Sequence, residues 1–118
     1  MTAQLDKAFA ALSDPTRRDL VARLAIGDAT VSELAVPYQM SIQAVSKHIQ
    51  VLAEAGLVTK RPDAQRRLVH LEADVLRQLT GWVEHYARLA DQRYQRLDDV
   101  LATLTVTAAT EPRPKDRS

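Results

Sequence analysis

Between Ser41 and Arg67 the chain gathers side chains that bind rather than react. Gln43, Ser46, Lys47 and His48 fall in one short stretch with Ser41 and Ala44, and Arg61, Gln65, Arg66 and Arg67 follow. A glutamine can bond adenine in two places, a lysine can reach guanine or phosphate, and serine and histidine serve either. Arginines suit phosphates or the minor groove. The charge distribution agrees. Residues 41–70 carry a net +3, whereas residues 1–40 carry −1, residues 71–104 −2 and the last fourteen +1. A basic middle between mildly acidic flanks is what a local polyanion contact needs, although a solvated surface would explain the charge alone equally well.

Other chemistries find little support. The 118 residues contain no cysteine, which excludes disulfides, thiolate nucleophiles and sulfur metal sites. The three glycines, Gly27, Gly56 and Gly81, are too scattered to cradle a phosphate. Serine, histidine and aspartate all occur, but each has a simpler role as a cap or surface residue. No catalytic residue and no cofactor is therefore expected, and the chain is not expected to be an enzyme. Helical metal ligands need partners three or four residues away. His85 has Gly81, Trp82, Arg88 and Leu89 there, and His48 has Ala44, Val45, Val51 and Leu52. His70 falls on a wing, facing DNA or solvent, and the adjacent Asp98 and Asp99 point to different faces, so no metal site is expected. The start is not of the signal-peptide kind, and no run of about 18 apolar residues could cross a bilayer. A cytoplasmic protein with no membrane partner is expected.

These binding side chains must be positioned by something. Leu5, Ala8, Phe9 and Leu12 repeat at helical spacing, which predicts a short first helix. Asp14-Pro15 starts a second helix with apolar Leu20, Val21 and Leu24, and Gly27 ends it. Thr30 and Glu33 have capping-box spacing for a third, which Pro37 keeps brief. Ser41 caps a fourth, with Ile42, Val45, Ile49 and Leu52 facing inward and Gly56 closing it. That places Gln43, Ala44, Ser46, Lys47 and His48 on the outer face. Leu57–Arg61 and Arg66–Glu72 then predict a two-stranded hairpin turning at Pro62-Asp63-Ala64-Gln65. One long helix from about Ala73 to Leu104 follows, and the tail from Thr105 is expected to be disordered. The fold class is mostly α with a small β-hairpin: a winged helix-turn-helix of five helices in the order α-α-α-α-β-β-α. Residues 1–104 form one domain and residues 105–118 its tail. The fourth helix of such a unit can enter the major groove.

Three segments carry a resemblance: Ala11-Leu12-Ser13-Asp14-Pro15-Thr16-Arg17-Arg18, Met40 to Ile49, and Leu52-Ala53-Glu54-Ala55-Gly56-Leu57-Val58. In this order and spacing the chain resembles the arsenical-resistance-repressor (ArsR) family over roughly residues 5–104. The resemblance implies a dimeric winged-helix repressor that binds operator DNA and often leaves it when an effector or metal arrives. The wing arginines and the Trp82 region resemble a branch lacking metal-binding cysteines. Two positions depart from the family: Gln39 stands where a glycine precedes the Met, and Ala64 stands at the wing tip. Both put the turn geometry in question, since a left-handed backbone costs a non-glycine residue about 1 kcal/mol.

The last helix has a further consequence. Leu76, Leu79, Val83, Tyr86, Ala90, Tyr94, Leu97, Leu101 and Leu104 recur every three or four residues. A helix of that length, at about 1.5 Å per residue, outruns a domain this small. Its far part needs another surface, and the resemblance implies that first and last helices form a homodimer interface. Leu5, Phe9, Val83, Tyr86, Ala90, Tyr94, Leu97, Leu101 and Leu104 are the expected interface. Gly81 in mid-helix suits either a close helix approach or local weakness. The expected partners are thus double-stranded operator DNA and a second copy of the chain, and the sequence leaves open whether an effector exists. The rival is a winged helix that binds only protein, which would not need the Gln-Ser-Lys-His face or three wing arginines.

Overall fold

The computed structural model describes residues 2–109. The elements are α1 (Ala3–Ala11), α2 (Pro15–Ile26), α3 (Val31–Ala35), α4 (Ile42–Glu54), β1 (Val58–Asp63), β2 (Arg66–Leu71) and α5 (Ala73–Ala109). This is a winged helix-turn-helix.

Local chemistry sets the helix ends. Asp14 accepts the Arg17 backbone N–H at 3.0 Å with Pro15 opening α2, where its missing donor leaves no bond unmade. Thr30 and Glu33 close the capping box of α3, Glu33 accepting from the Thr30 N–H at 2.8 Å and Thr30 from the Glu33 N–H at 3.1 Å. Ser41 accepts the Ala44 N–H at 3.1 Å and starts α4. At the other end Gly56 takes φ +78°, the Leu57 N–H bonds the Leu52 carbonyl and the Gly56 N–H bonds that of Ala53. This is a Schellman stop, with Leu52 and Leu57 both buried beside it. A side chain there is strained by the left-handed backbone, and a Cβ on Gly56 would stand 2.9 Å from Gln4 Nε2 and 3.2 Å from Val75 Cγ2. Gly27 ends α2 differently, in extended backbone at φ 179°.

The chain divides into two units, residues 1–81 and residues 82–118. In the first, Ala8, Ala11, Leu20, Leu24, Leu34, Val45, Ile49, Leu52, Leu57, Val58 and Val69 are buried, joined by Val75 and Leu79 from the start of α5. No polar side chain is buried among the described residues. Burying each large aliphatic side chain contributes about 1.5–3 kcal/mol, so this apolar set is what holds α1 to α4, the start of α5 and the wing together. The wing pairs antiparallel from Val58↔Leu71 to Asp63↔Arg66, and β2 is stitched on its other side to Ala29 by the Val69 N–H at 2.8 Å. The second unit contributes only helix, and none of its described side chains is buried.

Several expectations need correction. Ile42 is 51% exposed rather than inward, because it occupies the first helical position, before the packed face begins at Val45. Pro62 and Asp63 belong to β1 rather than to the turn, which shrinks to Ala64 and Gln65. Ala64 takes the left-handed backbone at φ 57°, and Gln39 does not: no other described non-glycine residue has a positive φ. α5 runs past Leu104 to Ala109, so the first residues of the expected tail are helical, and residues 110–118 lie outside the described chain.

Candidate nucleic-acid interface

The outer face of α4 begins at its cap. Ser41 fixes the first turn, and Gln43 and Lys47, one turn apart, are exposed on the same face. Neither acidic nor large apolar side chains interrupt them there. Ala44, Ser46 and His48 are only half-buried neighbours of that face. His48 was expected to point outward with them, and the structure turns it toward α2. Its Nδ1 lies 3.2 Å from Nη1 of Arg17 and 3.9 Å from the Asp14 carboxylate. A guanidinium only donates, so in this hydrogen bond Nδ1 is the acceptor. Arg17 also donates Nε to the Ala11 carbonyl at 2.7 Å and Nη2 to that of Ala10 at 3.4 Å. One side chain thereby ties the end of α1 to α4.

A second cluster sets the turn before α4. Arg23 donates to the Leu34 carbonyl at 2.7 Å, holding the end of α3 to α2, and its guanidinium lies over the Tyr38 ring. The Tyr38 hydroxyl donates to Asp19. Burial and then the Asp19 contact push the Tyr38 phenol above its ordinary range.

On the wing the cations divide into two kinds. Arg61 pairs with Glu72 at 3.5 Å, and Arg66 with Glu33 at 3.1 Å. Lys60 and Arg67 have no carboxylate partner among the described residues. Gln65 is exposed at the tip beside Ala64. His70, expected to face DNA or solvent, instead sets Nδ1 3.0 Å from the Asp28 carboxylate and fastens β2 to the loop before α3. Three carboxyls around this surface are held below their usual range. For Asp14 the main cause is the Arg17 backbone N–H, for Glu33 the Thr30 backbone N–H, and for Glu72 the Thr59 hydroxyl.

A helix-turn-helix domain model matches residues 12–61, from the end of α1 into β1. The chain is 40% identical over 94 residues to the HTH-type transcriptional regulator Rv2034 of Mycobacterium tuberculosis, covering 80% of this chain and 88% of that protein. Among solved structures, the ArsR family transcriptional regulator RHA00566 superposes with a TM-score of 0.69 at 35% identity, covering 75% of this chain and 97% of that one. The chain belongs to the ArsR family of transcriptional regulators. The homodimeric winged helix-turn-helix DNA-binding domain of Mb0332 from Mycobacterium bovis is also similar, with a TM-score of 0.58 at 28% identity over 72% of this chain and 79% of that one.

Within this ArsR-family chain, the expected interface residues fall in two places. Leu5 and Phe9 on α1 are half-buried against the core. On α5 the residues Val83, Tyr86, Ala90, Tyr94, Leu97, Leu101 and Leu104 are exposed, Tyr94 by 67% and Leu97 by 55%. Leu89 and Val100 widen this stripe, and sequence spacing alone had passed over them. The rings of Trp82 and Tyr86 meet at a tilt of 47°, with centroids 4.7 Å apart. Missed as well were Arg17, Glu33, Glu72 and Asp28 as partners of the reading residues. Glu33 was visible only as a cap, and Arg17 only as part of a motif. No cluster of three His, Asp or Glu side chains that could hold a metal ion occurs among the described residues.

Proposed function

We propose that this regulator is a dimeric repressor that reads an imperfect palindromic operator in the cytoplasm and works by binding rather than catalysis. The observation that carries the reading is the pairing of Gln43 and Lys47 on the open face of α4 with a wing whose Lys60 and Arg67 lack carboxylate partners. Gln43 meets base edges, and Lys47 meets base or phosphate. Arg61, Gln65, Arg66 and Arg67 meet backbone at the groove edge, with Ser41, Ala44, Ser46 and His48 lining the approach. The apolar stripe of α5 supports the dimer, as does the homodimeric state named for the Mb0332 domain. In this reading repression follows from occupying the promoter.

The test is a binding titration on DNA upstream of the chain's own gene, with footprinting at saturation. The expected footprint is two half-sites with centres about 10 bp apart or a multiple of that. Affinity should fall steeply with salt as phosphate contacts are lost. A lone asymmetric half-site at saturation would refute the dimeric reading. No duplex binding at any salt would leave a protein-binding winged helix in its place.

A further inference from the structure

Glu33 serves two partners with one oxygen. Its Oε1 accepts the Thr30 backbone N–H at 2.8 Å, closing the cap of α3, and lies 3.1 Å from Nη2 of Arg66 on the wing. The two residues are 33 positions apart, so the fold brings them together. Both side chains are about half exposed, at 54% for Arg66 and 55% for Glu33. A pair so wet is weak and easily exchanged. The guanidinium fork that fits a carboxylate fits a phosphate in the same way.

We propose that Glu33 is a built-in competitor for Arg66: an operator phosphate must displace its carboxylate, so Glu33 sets how tightly the wing grips DNA. The proposal rests on the DNA-binding reading above. Three further observations favour it. The Thr30 N–H fixes the carboxylate in place whether or not Arg66 is present, so the competitor does not swing aside. The same N–H, followed by the Thr30 hydroxyl, keeps the carboxyl below its usual range, so it stays ionised near neutral pH. Arg67, the next residue on β2, has no such partner and can meet phosphate without an exchange.

The variant Glu33→Gln separates the two duties, because a glutamine carbonyl still accepts the Thr30 N–H. Its thermal melt should fall only slightly, since the cap bond stays and only the part owed to the charge is lost. Operator affinity should rise between about two- and fivefold, the range expected when an exposed pair no longer has to be broken. In an Arg66→Ala background the same change should give less than half of that gain. An equal gain in both backgrounds, or none in either, overturns the proposal. A second comparison does not touch the cap: Arg66→Ala should weaken operator binding less than Arg67→Ala, and the reverse order also overturns it. Failure of the wild type to bind any duplex would instead sink the DNA-binding reading, whereas normal wild-type binding with no gain sinks only this inference.

Discussion

The unit up to Gly81 and the helix from Trp82 onward satisfy their apolar residues in opposite ways. In the first, aliphatic side chains from every helix and both strands are buried together, and the polar groups form short surface ties. In the second, Val83, Leu97, Val100, Leu101 and Leu104 recur at helical spacing and none is buried. The first has what a fold needs within one chain. The second has what an interface needs, and gains nothing from its leucines until another surface covers them. Folding and assembly are therefore assigned to different residues, and the assignment can be tested at each.

The largest effect should come from the core. Leu52→Ala removes a fully buried side chain at the Schellman stop and should cost about 2–5 kcal/mol of stability, measured by denaturant unfolding. The same truncation at Leu97 should leave unfolding of the dilute monomer within about 0.5 kcal/mol of wild type. Comparable losses at both sites would erase the distinction.

Next comes assembly. Leu97→Asp with Leu101→Asp should raise the dimer dissociation constant on the order of a hundredfold, read by light scattering, with the melting of the first unit unchanged. Operator binding should fall with it, since two linked half-sites are lost together. A monomeric wild type at micromolar concentration would show that the stripe has another use.

A smaller effect is expected within the first unit, at its reading face. Gln43→Ala should cost about 1–3 kcal/mol on the operator and little on a scrambled duplex. Equal losses on both would mean that a different residue reads the bases. Neither result should alter unfolding, because Gln43 is exposed.

The smallest effect is a pH dependence confined to the first unit. Asp14, Glu33 and Glu72 are held below the ordinary carboxylate range when folded. Their contribution is thus fully present above the unfolded carboxylate pKa and is lost as pH falls through the lower folded values. Melting temperature should drop as acid enters that window, and Asp14→Asn, which keeps a cap acceptor, should shallow the drop. A flat acid profile in the wild type would contradict these assignments.

Legibility in the sequence followed range. Asp14, Thr30 with Glu33, Ser41 and Gly56 act on neighbours within a turn or two, so their types and spacing exposed the starts of α2, α3 and α4 and the stop of α4. The hairpin was placed, but its bounds were not. Pro62-Asp63 has turn chemistry, and strand pairing with Arg67 and Arg66 overrides it. Ile42 fits the apolar period of α4, yet periodicity does not say where a neighbouring helix stops covering it. The two prolines and mixed charges of the segment after Leu104 set the expected end of α5, and the helix runs on to Ala109 before the first of those prolines. Least legible were the ties from Arg17 to His48, Glu33 to Arg66 and Asp28 to His70. Each joins residues at least 31 positions apart, and only the fold makes them neighbours. For that reason sequence reasoning named residues for the surface and missed the side chains tied to them.

Pro62 has a consequence for how copies of this protein behave in crowded solution. β2 is flanked on both sides, by β1 and by Ala29, whereas among the described residues β1 pairs with β2 alone. An open strand edge is a template on which another chain can lengthen the sheet, and repeated addition of that kind grows without limit. On β1 the template is spoiled: Pro62 lacks an N–H, and Lys60 and Arg61 place like charges where two wings would meet edge to edge. Contact between wings is thereby discouraged, and in the reading proposed above the apolar face of α5 carries self-recognition instead. A single self-complementary face closes on a pair and stops, which would keep the protein from polymerising when many copies gather on one stretch of chromosome.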